Sequence, residues 1–257
     1  MTPDVVVDIG NSRIKWGRCL RTVEDGGMVS LPLNDLNAWD DQLEAWQIER
    51  SAWWAIGGVN PPQVEMFARW VKSHGGKLVV FKKPSLLPIQ FNVDEPDAVG
   101  IDRVFGAIAA KSMAPAGTPA ITVDVGTAVT VNLIDAEGVF QGGMIFPGPR
   151  LMAKSLHDFT AKLPLVEWTD PLPLGDLRPA KNTAAAIRLG IESALGAGVY
   201  STAAIFATEN TAIPAWLFIT GGAHRLLPAE NQPGIACVQI VESLNLEGIR
   251  IAAESLP

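Results

Sequence analysis

Two stretches of the chain share one pattern of apolar and polar positions. Val5-Val6-Val7 is a β-branched run that leads into Asp8 and Gly10, and Arg13-Ile14-Lys15-Trp16-Gly17 then alternates with period two. A short apolar run, a tight turn at Gly10-Asn11 and an alternating segment predict a β-hairpin. The pattern returns as Ala120-Ile121-Thr122-Val123-Asp124-Val125-Gly126-Thr127, followed by a second apolar strand from Ala128 to Ile134. Between the copies, Ala114-Pro115-Ala116-Gly117-Thr118-Pro119 forms a turn-rich break. The repeat is long and occurs twice, which predicts two related α/β domains, residues 1–116 and 117–257, and not a solenoid.

Other elements follow from spacing. Leu36 to Gln47 carries Trp39, Leu43 and Trp46 at helical intervals. Pro61-Pro62 opens a helix with Val64, Phe67, Ala68 and Val71 on one face, closed by Gly75-Gly76. Asp102 to Met113, Leu151 to Phe159 and Thr183 to Val199 also read as helices. Ala52 to Ile56, Leu78 to Phe81 and Trp216 to Thr220 read as strands, the last ending in Gly221-Gly222-Ala223.

The 257 residues are 48% hydrophobic and 18% charged, ordinary for a chain with a sizeable core. A formal net charge of −7 repels nucleic-acid backbones, so no nucleic-acid partner is expected. Any phosphate must be gripped locally, by backbone N–H groups or single cations. Cys19 and Cys237 lack metal-ligand spacing and are expected to be reduced thiols. The N-terminus has no basic segment leading into a long apolar stretch, and no run approaches the roughly 18 apolar residues of a membrane span. A cytoplasmic protein with no membrane partner is expected.

The repeated Asp-x-Gly turns carry the chemistry. A glycine at a hairpin tip removes the Cβ that would block a phosphate and permits the positive φ that points successive N–H groups outward. Asn11 and Ser12 in the first copy and Thr127 in the second add side-chain donors. Asp8 and Asp124, near the carboxyl ends of their strands, are placed to reach a cation or its water shell. Two such hairpins facing one another across a cleft would hold a polyphosphate from both sides, with Lys15 adding local positive charge. The chain has neither a Gly-x-x-x-x-Gly-Lys-[Ser/Thr] loop nor a strand-to-helix Gly-x-Gly-x-x-Gly.

Gly100-Ile101-Asp102-Arg103 opens the alanine-rich helix and suits a small hydroxylated acid. Arg103 can take a carboxylate in a bidentate fork at a helix start that favours anions, and Asp102 can accept the proton of an attacking hydroxyl. The same residues also fit a purely local role, with Asp102 satisfying first-turn amides. His74, His157 and His224 are scattered, no zinc-ligand cluster or Gly-x-Ser-x-Gly elbow is present, and the tryptophans read as core or interface.

In order, Asp8-Ile9-Gly10-Asn11-Ser12, Gly100-Ile101-Asp102-Arg103, Asp124-Val125-Gly126-Thr127-Ala128, Gly142-Gly143-Met144-Ile145-Phe146-Pro147-Gly148, Leu163-Pro164, Asn182-Thr183 and Gly221-Gly222-Ala223 resemble the type III pantothenate kinases. That family belongs to the acetate kinase, sugar kinase, Hsp70 and actin superfamily. The resemblance covers nearly the whole chain. It implies an α/β fold of two duplicated ribonuclease H-like, actin-like ATPase domains with mixed β-sheets flanked by helices. It implies ATP-dependent phosphorylation of pantothenate to 4′-phosphopantothenate, the first step of coenzyme A synthesis.

By the same resemblance, ATP contacts Asp8, Ile9, Gly10, Asn11, Ser12, Arg13, Ile14, Lys15 and Thr127. Pantothenate lies against Gly100, Ile101, Asp102, Arg103 and Thr183, with Asp102 as catalytic proton acceptor. A monovalent cation, K⁺ or NH₄⁺, binds at Asp124, Mg²⁺ accompanies ATP, and the protein is a homodimer with much of its interface in the second half. Two positions depart from the family pattern. Val93 stands where a substrate-touching tyrosine is common, and Ser12 where threonine is common. Two other readings are a non-catalytic regulatory relative on the same fold and a kinase or phosphatase acting on a sugar or polyphosphate. The intact set Asp8, Asp102, Arg103, Asp124 and Thr127 favours an enzyme, and Arg103 favours a carboxylated acceptor.

Overall fold

The computed structural model describes residues 1–167, 179–209, 212–227 and 232–256. They form two compact units, one of Met1–Met113, Gly138–Phe140 and Ser243–Pro257, the other of Ala114–Glu137 and Gln141–Glu242.

In the first unit the elements are β1 (Val5–Ile9), β2 (Ile14–Arg18), α1 (Val23–Gly26), β3 (Met28–Leu31), α2 (Leu36–Ala45), β4 (Trp53–Gly58), α3 (Pro61–Ser73), β5 (Lys77–Val80), β6 (Gln90–Phe91) and α4 (Ile101–Met113). Its sheet runs β3-β2-β1-β4-β5, with β1 antiparallel to β2 and parallel to β4. β1 is buried on both faces. Val5, Val7 and Ile9 face an aromatic core of Trp16, Trp39, Trp54, Phe67 and Trp70. Trp16 meets Trp54 edge-on at 5.2 Å between ring centroids, an arrangement that adds to the area it buries. Trp16, Trp39, Trp54 and Trp70 are thus core residues, and Trp168 lies outside the described residues.

The second unit contains β7 (Ala120–Val125), β8 (Ala128–Ile134), most of β9 (Val139–Pro147), α5 (Pro149–Asp158), α6 (Thr183–Glu209), β10 (Ala215–Thr220) and β11 (Ile235–Ile240). Its strands run β11-β10-β7-β8-β9. β7 is antiparallel to β8 and parallel to β10. Moving outward from the aspartate strand, each sheet therefore has its hairpin partner on one side and parallel strands on the other. The duplication read in the sequence is a duplication of strand order. β6 pairs with Val139 and Phe140, the part of β9 that folds with the first unit.

Helix α6 extends ten residues past Val199, the end its sequence predicts, to Glu209. Ser201 and Thr202 resemble a stop, but Ala203 and Ala207 continue the buried stripe of Ile187, Ile191, Leu195 and Val199. The expectation that no run approaches membrane length is also corrected. By length and composition, Thr183–Thr208 is long and apolar enough to cross a membrane. Alanines on its outer side raise the hydropathy without a long aliphatic run, while the stripe above packs into the second unit's core.

The segment from Leu244 to Glu254 forms α7, which returns to the first unit and packs on β1 and α4. Gly248 lets α7 approach the backbone of α4 at Phe105, where a Cβ would collide with the Phe105 carbonyl. Glu247, 6% exposed, accepts from Arg250 Nη2 at 2.5 Å and from the Val23 N–H at 3.2 Å. Arg250 Nη1 donates to Glu254 at 2.6 Å. Hydrogen bonding to Glu247 holds the Arg250 guanidinium above its ordinary range. Replacing Arg250 with methionine strands a buried carboxylate and is expected to destabilise the protein by about 3–5 kcal/mol. Chemical denaturation of Arg250→Met measures this directly. An unchanged midpoint would show that α7 is not held by this pair.

Candidate active site

Asp8 is the penultimate residue of β1 and is 7% exposed. In register it faces Lys15 on β2 and Gly57 on β4. Directly opposed residues project to the same side of a sheet, so Asp8 and Lys15 are neighbours of opposite charge. That side is the one covered by α4 and α7. Gly17, two residues on from Lys15, lies against Leu246 of α7, and Gly57 lies against the Phe105 ring of α4. Asp102 begins the same helix one turn before Phe105. The first unit therefore brings Asp8, Lys15 and Asp102 to one face of its sheet.

Gly10 N–H donates to the Arg13 carbonyl at 3.1 Å, which closes the first tip and leaves Asn11 and Ser12 exposed. Arg13 Nη2 donates to the Ser30 carbonyl at 2.7 Å and Nε to Ser30 Oγ at 3.2 Å, fastening the tip to β3. Ile9 and Ile14 point into the core.

At the start of α4, Asp102 Oδ1 accepts the Arg103 N–H at 2.8 Å. A Cβ on Gly100 would sit 2.7 Å from that oxygen, so glycine leaves room for the carboxylate to fold back. The Arg103 guanidinium lies over the buried Phe140 ring, 5.8 Å from its centroid. Burial pulls it below its ordinary value and Asp102 partly offsets this. Arginine remains charged regardless. Phe140 orients Arg103 by a cation–π contact, and residues 37 positions apart gave no sequence signal for it. Val93 is half-buried and follows β6, where Asn92 N–H donates to the Phe140 carbonyl at 2.9 Å.

The second tip repeats the first with a shorter turn. Val125 pairs with Val129, and Gly126 N–H donates to the Ala128 carbonyl at 3.0 Å. Thr127 is exposed at the tip. Asp124, half-buried, faces Thr130 on β8 and Thr220 on β10. Its side of the sheet is polar: Thr122, Asn132 and Thr220 are buried there, and Asn132 Nδ2 donates to Thr122 Oγ1 at 3.1 Å. Thr183 is exposed in the first turn of α6, which Asn182 caps by accepting the Ala185 N–H at 2.9 Å.

One expectation is corrected. Neither Gly10 nor Gly126 has positive φ. Each tip is closed by the glycine N–H donating forward to a carbonyl, which needs no left-handed residue. A left-handed glycine that meets the Asp124 tip is Gly221, at φ 97°, beyond the end of β10. A Cβ there would lie 2.5 Å from Asp124 Oδ1 and 2.5 Å from Val125 N. Gly148 is drawn in equally close, where a Cβ would meet the Thr127 carbonyl oxygen at 2.5 Å. Gly148 N–H donates to that carbonyl at 3.0 Å and Ala223 N–H to the Val125 carbonyl at 3.0 Å. The Pro147-Gly148 and Gly221-Gly222-Ala223 motifs are thus the supports of the Asp124 tip.

Among the described residues, no group of three or more His, Cys, Asp or Glu side chains could hold a metal ion. A divalent ion held by an all-protein cage does not fit this arrangement. Strand-end carboxylates suit a hard cation that also takes ligand phosphates, carbonyls or water.

The family described as type III pantothenate kinase matches residues 5–204. A type III pantothenate kinase of Synechococcus sp. (strain JA-3-3Ab) is 33% identical over 246 residues, covering 94% of this chain and 88% of the relative. Another, of Cytophaga hutchinsonii, is 28% identical over 247 residues, covering 96% of each chain. Among solved structures, a Campylobacter jejuni chain described as a Baf family transcriptional activator aligns with TM-score 0.60 at 17% identity, over 97% of each chain. A Sinorhizobium meliloti chain described as a 2-dehydro-3-deoxygalactonokinase aligns with TM-score 0.56 at 13% identity, over 98% of each. At such identities the structural likeness shows the fold alone, that of the actin-like ATPases and sugar kinases.

Gly221→Ala forces a methyl group against Asp124 at a backbone angle that side chains rarely adopt. It is expected to cost about 1–3 kcal/mol. A thermal melt that matches the unaltered protein would mean that the loop relaxes without disturbing Asp124.

Proposed function

The chain belongs to the type III pantothenate kinase family, and we propose how its residues carry out that family's reaction. The terminal phosphoryl group of ATP passes to pantothenate, giving 4′-phosphopantothenate, the first step of coenzyme A biosynthesis. The observation that carries the assignment of roles is the pair of aspartate hairpins at matching positions in two sheets of the same strand order.

In this reading Asp8 to Lys15 and Thr127 bind ATP. Backbone N–H groups at the tips, the Asn11 and Ser12 side chains and the Thr127 hydroxyl donate to phosphate oxygens, and Lys15 neutralises charge. Ile9 and Ile14 hold the tip by their core packing, and Arg13 by its clip to Ser30. Gly100, Ile101, Asp102, Arg103 and Thr183 bind pantothenate. Arg103, already oriented by Phe140, pairs with the pantothenate carboxylate. Asp102 accepts the hydrogen bond of the attacking hydroxyl, aims its oxygen at the terminal phosphorus and takes the proton as the new bond forms. A transition state this loose rewards alignment more than early deprotonation, so a weakly basic carboxylate suffices.

A monovalent cation at Asp124 and magnesium on ATP supply positive charge against the phosphates. The donor set there, one carboxylate amid backbone carbonyls and the Thr130 and Thr220 strands, suits a hard cation of low charge. Homodimerisation is supported by α6, whose outward stripe of Gly190, Ala194, Ala197, Ser201 and Ile205 is exposed. Small side chains there let a second helix approach closely, and a two-fold axis would pair the stripe with itself.

Turnover of pantothenate with ATP, with and without potassium, tests the whole reading. No phosphorylation of pantothenate while a sugar is phosphorylated would overturn the substrate. Asp102→Asn is expected to lower kcat by roughly two to four orders of magnitude, the usual worth of a positioned acid–base group, with the KM for ATP little changed. An unaltered kcat removes Asp102 from the chemistry. Asp124→Asn is expected to flatten the potassium activation curve, and a curve that stays in place puts the cation elsewhere. Ala197→Glu is expected to sediment as a folded monomer. If it still sediments as a dimer, the interface is not on α6.

A further inference from the structure

The three-residue helical turn His224–Leu226 follows β10 and holds a histidine that the reaction does not use. His224 is mostly buried, with 12% of its side chain exposed. Its Nδ1 lies 2.8 Å from the Gly221 carbonyl oxygen, and its backbone N–H donates to the same oxygen at 3.2 Å. A carbonyl only accepts, so Nδ1 carries the proton. Nε2 lies 3.6 Å from Glu242 Oε1, on a residue whose carbonyl accepts from Thr220 Oγ1 at 3.2 Å. One side chain thus spans from the end of β10 to the segment after β11.

What it holds is the peptide that must not move. Gly221 sits in the left-handed region with its α-carbon against Asp124, so closely that a single added methyl would reach Oδ1 at 2.5 Å. A shift of the backbone at Gly221 would carry that carbon into or away from the carboxylate. Two hydrogen bonds from His224 to the Gly221 carbonyl oppose this shift. The Ala223 N–H, bound to the Val125 carbonyl, anchors the other side of the same turn.

We propose that His224 is a positioning residue for the cation site: through the Gly221 carbonyl it fixes the glycine that sets where the Asp124 carboxylate lies. It touches neither substrate nor cation. The inference rests on the assignment of the monovalent cation to Asp124.

The test compares His224→Ala, His224→Asn, His224→Gln and Asp124→Asn by two readouts. One is the potassium concentration giving half-maximal turnover. The other is the rise in melting temperature as potassium replaces choline at constant ionic strength, with ADP present. Asparagine keeps a donor near the Nδ1 position, whereas glutamine moves it towards Nε2. His224→Ala and His224→Gln are expected to need roughly three- to tenfold more potassium by both readouts, the range spanned by one net hydrogen bond. His224→Asn is expected to stay within about twofold of the unaltered protein, and the KM for pantothenate to hold in all three.

A potassium response that His224→Ala leaves in place, while Asp124→Asn abolishes it, overturns the inference alone. Asparagine and glutamine variants shifted equally also overturn it, because the imidazole then acts by filling space. An Asp124→Asn protein with an unmoved response overturns the cation assignment and the inference with it. If His224→Ala fails to fold, as circular dichroism would show, the asparagine–glutamine contrast decides.

Discussion

A carboxylate near the end of a buried strand is expensive to hold, and both units are arranged around that expense. A charged group shielded from water must be met by opposite charge, by donors, or by a ligand. In the first unit a lysine, Lys15, stands opposite Asp8 in register on the adjoining strand. In the second, Thr130 takes the place of the lysine and the surroundings close in by backbone. Gly148 and Gly221 press the Asp124 tip from two directions. Strand order is duplicated, but the electrostatic solution is not.

That asymmetry extends to the surroundings of the two hairpins. The face of the first sheet that bears Asp8 also carries Val6, Gly17 and Ala55 and is roofed by α4 and α7, with Lys15 opposite Asp8 in register. The corresponding face of the second sheet carries a hydrogen-bonded row of Thr122, Thr130 and Asn132 that leads to Asp124. An apolar floor favours a carboxylate already matched to a lysine. A polar floor tolerates one whose counter-charge comes and goes with the ligand.

Legibility in the sequence tracked how local the cause was. The alternation Ile121-Thr122-Val123-Asp124-Val125 is a period-two signal, and its faces are those it predicts. The family resemblance marked Gly148 and Gly221, but not the reason for them, which is contact with a tip about 20 residues before the first and about 100 before the second. Helix α7 escaped notice because Asn245, Glu247 and Gly248 read as surface or loop. They are buried because Arg250 neutralises the glutamate and the glycine admits α4. The hold of Phe140 on Arg103 depends on a strand pairing, β6 with β9, that two residues per strand cannot announce. The positive φ assigned to Gly10 and Gly126 failed because a hairpin tip can also close through αR and extended residues, and local sequence does not choose between them.

Helix α7 has a further consequence for how the molecule is made. Residues near 250 complete a unit whose sheet begins at Val5. A nascent chain leaving the ribosome can build nearly all of the second unit before α7 emerges, but the first must wait for α7, with one flank of β1 and the Phe105 segment of α4 uncovered until then. The half synthesised first is finished after the half that follows it, and the cradle for Asp8 and Asp102 closes only once residues near 250 have left the ribosome.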